Sequence, residues 1–133
     1  MKVEKVDHIH IAVNNLDKAI TLFTDLLGRE FDPVWQGVYP GIRTAYNKLG
    51  LDFIENKSDP NKTPVEGIVC ISFKVPDIEE AIAELESRGI KMTNKFKVGK
   101  VIEAWFDPAN TLGVQIELCE YPGDDITAAT YAK

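Results

Sequence analysis

The 133-residue sequence predicts an α+β fold built from two copies of a βαβββ unit. Two observations carry that reading. Stretches of period-2 alternation and stretches of 3.6-residue spacing follow one another in an order that occurs twice. The apolar positions of the first copy also lie over those of the second at a nearly constant shift. The expected product is a single domain over 1–133, in which a curved eight-stranded mixed sheet forms a cup. Two helices pack outside it, and a pseudo-twofold relates the modules.

The first module spans about 3–56. Val6 to Val13 (VDHIHIAV) alternates as a strand, with Ile9, Ile11 and Val13 on one face and His8, His10 and Ala12 on the other. Leu16, Ala19, Ile20, Phe23, Leu26 and Leu27 then recur at helical spacing, with Asn15 as cap and Gly28 placed to end the helix in a left-handed conformation. Three extended segments follow, near 31–36, 42–47 and 51–56, punctuated by Gly37, Pro40, Gly41 and Gly50.

A polar linker over about 57–66 carries two prolines and leads into the second module, about 67–122. Ile68 to Val75 (IVCISFKV) repeats the strand, with Val69, Ile71, Phe73 and Val75 on one face. Ile78, Ala81, Ile82 and Leu85 repeat the helix. Asp77 and Glu80 have the spacing of a capping box, and Gly89 closes the helix. Three further extended segments lie near 91–97, 101–107 and 113–120. At a shift of 62, Val13, Leu16, Ala19 and Ile20 meet Val75, Ile78, Ala81 and Ile82. At a shift of 65, Leu51–Glu55 meets Ile116–Glu120. The tail after Pro122 has little periodicity and reads as partly mobile.

Composition bounds the partners. Apolar residues make up 44% of the chain, enough for a sizeable interior, and the net charge is −6. A negative surface without basic clusters argues against nucleic acid and anionic membranes. No apolar run reaches the roughly 18 residues of a membrane span. The first residues lack the apolar core of a signal peptide. Two cysteines, Cys70 and Cys119, are too few for a disulfide framework, so a cytosolic protein with reduced thiols is expected.

Strand alternation also sorts the polar groups. Opposite the helix-facing residues the first strand of module one presents His8 and His10, and that of module two presents Cys70 and Ser72. The closing strands present Asp52 beside Ile54, and Gln115, Glu117 and Cys119. Polar groups inside apolar strands are costly unless solvated, paired or bound to a ligand, so these positions outline a pocket. Each also has a structural reading. His8 can be a histidine satisfied by a carbonyl, Glu117 one half of an ion pair, and Cys70 and Cys119 small core fillers. His8 and His10 on one face form an His-x-His pair able to hold one metal. Trp35, Tyr39, Tyr46 and Trp105 can line the cup, although core packing is the ordinary role of such aromatics.

Four segments, taken in order, resemble the glyoxalase/vicinal-oxygen-chelate superfamily: DHIHIAVNNLDKAITLFTDLLG, GIRTAYNKLGLDFIE, FKVPDIEEAIAELESRGI and WFDPANTLGVQIELCEYP. Within it, the segments resemble glyoxalase I-like and methylmalonyl-CoA epimerase-like members. The resemblance implies a divalent ion (cobalt, manganese, nickel or zinc) at His8, Asp52, Cys70 and Glu117, with Glu117 as the catalytic base. The chain departs from the family pattern at three places. Cys70 stands where a histidine is usual, Asp52 is shorter than the usual glutamate or glutamine, and Thr44 falls near the epimerases' further glutamate.

The implied activity is that of a metal-dependent isomerase, epimerase or lyase. It would remove a proton next to the carbonyl of a small 2-oxo compound or a CoA thioester. A metal-free binding protein of the bleomycin-resistance kind is the alternative from another class, and a ring-cleaving dioxygenase is a third. A homodimer is expected, because edge strands need covering and a closed twofold contact covers them.

Overall fold

The computed structural model describes residues 1–37 and 40–132. Its strands are β1 (Lys5–Ala12), β2 (Trp35–Gln36), β3 (Ile42–Asn47), β4 (Leu51–Asn56), β5 (Gly67–Lys74), β6 (Met92–Val98), β7 (Val101–Phe106) and β8 (Ile116–Glu120). Its helices are α1 (Leu16–Leu27), α2 (Ile78–Ser87) and α3 (Ile126–Tyr131). The strand order is β2-β3-β4-β1 in one half of the chain and β5-β8-β7-β6 in the other. Two compact units are distinguished: a first unit, His8–Val69, and a second, Met1–Asp7 with Cys70–Lys133.

In the first unit, β1 runs parallel to β4, with Ile9 opposite Leu51 and Ala12 opposite Ile54. β4 pairs antiparallel with β3, and β3 with the two residues of β2. The caps of α1 follow the expectation. Asn15 accepts a hydrogen bond from the Lys18 N–H, and Gly28 ends the helix at φ 65°. Val13, Leu16, Ala19, Ala45 and Phe53 form the core between helix and sheet, with Ile11, Ile20, Phe23, Phe31 and Leu51 packed on it. Leu26 and Leu27, placed by their spacing on the apolar stripe, are exposed instead.

The expected strand over 31–36 is cut to Trp35–Gln36, with Phe31 in an isolated bridge to Asn47. Pro33 explains the break, because it has no N–H to give a ladder. Asn47 fills the gap: its side-chain amide donates to the carbonyls of Arg29 and Glu30, and its oxygen accepts from the Leu49 N–H.

The second unit repeats the plan. β5 runs parallel to β8, which pairs antiparallel with β7, and β7 with β6. Asp77 caps α2 through the Glu80 N–H. Val75, Ile78, Ala81, Ile82, Leu85, Ala104, Phe106 and Leu118 make its core.

The tail after Pro122 carries a third helix that periodicity does not predict. α3 is capped by Asp125, which accepts from the Ala128 N–H, and it buries Ile126 and Ala129. Its last turn sits on the turn between β6 and β7, where Lys100 N–H donates to the Ala129 carbonyl. Gly99 (φ +57°) permits that approach, since a Cβ there would fall 2.3 Å from the Thr130 carbonyl oxygen. No helix among the described residues is long and apolar enough to cross a membrane.

Candidate functional site

Alternation along β1 and β4 turns Ile11, Leu51 and Phe53 toward the core of the first unit and His8, His10 and Asp52 to the other face. The register then sets these polar residues in a row. His10 lies opposite Asp52, and Asp52 opposite Tyr46. His8 and His10 are almost wholly buried, and their Nε2 atoms are 2.9 Å apart. The rings meet edge to face with centroids 4.5 Å apart, and the Tyr46 ring stands edge-on to His8 at 6.1 Å. On its other side, His10 Nδ1 is 3.4 Å from Asp52 Oδ2. Asp52 is thus brought to His10, one residue pair that sequence spacing alone had left unconnected.

The second unit carries a matching row. Ser72 lies opposite Glu117, and Glu117 opposite Trp105. Glu117 is fully buried, and the Ser72 hydroxyl donates to its Oε1 at 2.6 Å. Cys70 and Cys119 are buried thiols that form no disulfide. Burial pushes the Cys119 thiol well above its ordinary range, helped by the negative field of Asp7. Such a group is held as a neutral thiol, in keeping with its reading as core.

The aromatics do not follow the core-packing expectation. Trp35, Tyr46 and Trp105 are half-buried, and none belongs to either apolar core. Tyr46 and Trp105 instead occupy the polar rows beside Asp52 and Glu117. Tyr39 lies outside the described residues.

Three buried charges escaped sequence reasoning. Lys74 donates to the Gly123 carbonyl and lies over the Tyr121 ring at 4.1 Å, and the Tyr121 hydroxyl donates to Asp7 at 2.5 Å. These contacts anchor the start of the tail. Glu55 accepts from the Leu16 N–H at 2.8 Å and from Arg43 Nε at 3.1 Å. Desolvation alone would raise its carboxyl, but the Arg43 hydrogen bond, the Leu16 N–H and the charges of Arg43 and Lys57 together hold it below its ordinary value. The repeat carried the only available signal, since Glu55 and Glu120 coincide at a shift of 65. Glu120 does accept from the Ile78 N–H at 3.0 Å.

Fold and buried donors can now be set beside known proteins. The sequence pattern of the Glyoxalase/Bleomycin resistance protein/Dioxygenase superfamily matches residues 7–106. The chain belongs to that superfamily. A lactoylglutathione lyase of Schizosaccharomyces pombe is 29% identical over 83% of this chain. The match takes in 46% of the lyase, so the chain spans about half the length of that relative. A methylmalonyl-CoA epimerase variant of Streptomyces coelicolor, solved with 2-nitronate-propionyl-CoA, superimposes with a TM-score of 0.81 at 20% identity. That alignment covers 93% of this chain and 99% of the epimerase. The methylmalonyl-CoA epimerase of Mycobacterium tuberculosis gives 0.78 at 25% identity over 95% of this chain and 93% of its own. Within this superfamily member, His8, His10 and Glu117 are buried donors of the types that can hold a metal ion.

Proposed function

We propose that this superfamily member is a divalent-metal-dependent isomerase, epimerase or lyase acting on a small 2-oxo compound or a CoA thioester. One observation carries the reading: His8, His10 and Glu117 are each less than 5% exposed, on strand faces turned away from the helix-packed cores. Apolar residues there would cost folding less, because burying ionisable groups is unfavourable even when they are paired within the protein. The donor set is drawn from His8, Asp52, Cys70 and Glu117, with His10 added. Imidazole and carboxylate, with or without a thiol, suit cobalt, manganese, nickel or zinc.

A bound divalent ion would supply Lewis acidity toward a carbonyl oxygen. Glu117 takes the proton from the adjacent carbon, and the Ser72 hydroxyl fixes its orientation. Trp105, opposite Glu117 in the row, gives the substrate an apolar surface. Thr44 offers no second carboxylate, which favours one-base chemistry. The epimerases of similar fold, one of them solved with a CoA-thioester analogue, support the substrate class. A homodimer and a cytosolic location complete the reading; light scattering should give twice the 14.9 kDa chain mass.

The test is metal analysis joined to solvent-deuterium exchange at the acidic carbon of 2-oxo and CoA-thioester substrates. About one equivalent of ion is expected, with exchange falling roughly 10²–10⁴-fold in Glu117→Gln. A protein that carries no ion and gains none on soaking with cobalt, manganese or zinc overturns the reading. Cys70, in place of a second histidine, favours metal-free binding as the second reading. Glu117 would then anchor a cationic ligand.

A further inference from the structure

We propose that His10 is a metal ligand beside His8, and that Asp52 is a positioning residue acting through His10 rather than on the ion. This rests on the metal-dependent reading above and revises the role of Asp52 within it. All three residues lie in the first unit.

The two imidazoles are two residues apart on β1 and therefore share a face. Their Nε2 atoms converge to 2.9 Å. Two nitrogens bound at about 2.1 Å to one six-coordinate ion, at a right angle, would stand about 3.0 Å apart, against about 3.4 Å at the tetrahedral angle. The observed separation already matches a pair of adjacent ligands. A direct hydrogen bond between the rings needs a proton on one Nε2 and a lone pair on the other. An ion replaces that proton with little movement of either ring. The packing helps, since Tyr46 stands edge-on against His8 and the rings are set 72° apart.

Asp52 faces the opposite edge of the same ring. Its Oδ2 lies 3.4 Å from His10 Nδ1, and the register holds the two residues directly opposite each other. A carboxylate beside Nδ1 favours the tautomer with the proton on that nitrogen, which leaves the Nε2 lone pair for the ion. A bound ion would complete a carboxylate–histidine–metal arrangement, in which the outer group orients the ligand and raises its basicity. Asp52 has the shorter acidic side chain, and the register sets it against His10.

Cobalt(II) titration with proton NMR in water tests the proposal without any turnover. A histidine bound through Nε2 shows a hyperfine-shifted, exchangeable Nδ1–H signal. Wild type should show two such signals. His10→Gln should lose one of them and bind cobalt at least roughly tenfold more weakly. Asp52→Asn should keep both signals and the visible cobalt band intensities. The signal lost in His10→Gln should then exchange faster with solvent, and affinity should fall roughly 10–100-fold. A single signal in wild type overturns the proposal and needs no variant to fold. So does unchanged affinity in His10→Gln, and so does a change of band intensity in Asp52→Asn that spares the His10 signal. In those cases the metal reading itself stands. Wild type that binds no cobalt at all overturns both.

Discussion

The two units repeat one plan and differ in the residues that fill it. In the first unit a row of His10, Asp52 and Tyr46 crosses β1, β4 and β3. In the second, Ser72, Glu117 and Trp105 take the corresponding places on β5, β8 and β7. The first row joins an imidazole to a carboxylate, and the second a hydroxyl to a carboxylate. The helix-facing sides behave differently. There Leu16 and Ile78, Ala19 and Ala81, and Phe53 and Leu118 keep the same apolar role. The contrast teaches that packing constrains one face of each strand and leaves the other open to chemistry.

A second contrast lies at the helix starts. Glu55 and Glu120 each accept from the first N–H of the helix in their unit. Only Glu55 is also paired with an arginine, because the position corresponding to Arg43 along β7 is the apolar Ile102. The same device is therefore buried and charged-paired in one unit and plainer in the other.

Deleting core volume should separate the units most strongly. Phe53→Ala is expected to cost about 3–5 kcal/mol and Leu118→Ala about 2–5 kcal/mol in urea unfolding. Phe53 meets Phe23 and Phe31 as well as the sheet, so it should stand at the upper end. Equal losses would show that the two cores collapse alike.

Next comes the acidic pair. Glu55→Gln breaks a buried ion pair and is expected to cost about 2–4 kcal/mol, against about 1 kcal/mol for Glu120→Gln. The pH dependence has a definite sign. The folded carboxyl of Glu55 lies below the ordinary 4.5, so its contribution is complete well above pH 4.5 and is lost as pH falls through the lower folded value. The gap between wild type and Glu55→Gln should therefore close in acid. A gap that persists there would remove the charge from the explanation.

Ser72→Ala should follow, at about 1–3 kcal/mol, since it strips a hydrogen bond from a buried carboxylate. A stabilised variant would mean that Glu117 is held by other groups. The smallest effects belong to the caps. Asn15→Ala and Asp77→Ala should each cost about 1 kcal/mol, and by similar amounts, because both side chains accept from the third N–H along.

Most of this comparison was legible in the chain itself. Asn15, Asp77, Gly28 and the helical spacing place α1 and α2 because capping and burial are local in sequence. Strand alternation likewise sorts His8, Asp52, Cys70 and Glu117 from the apolar side. What stayed hidden is non-local. The meeting of His10 with Asp52 depends on the register between parallel strands 42 residues apart, which no local pattern encodes. Glu55 and Arg43 look like ordinary surface charges until β3 and β4 pair. α3 escaped for another reason. At six residues it is too short for periodicity to speak, and its order comes from Asp125 and the Gly99 turn.

The carboxylates at the ends of β4 and β8 bear on fidelity as well as on stability. In a parallel pair, a slip of one residue turns every side chain to the opposite face. Sliding β4 one place against β1 would offer Ile54 or Asn56 to the start of α1 in place of Glu55. Asp52 would turn into the helix-packed core and Phe53 into the polar row. The helix start then loses its anion in the same step that the core gains one. Each unit thus carries its own check on alignment, read by a single glutamate, and a misthreaded strand is penalised twice.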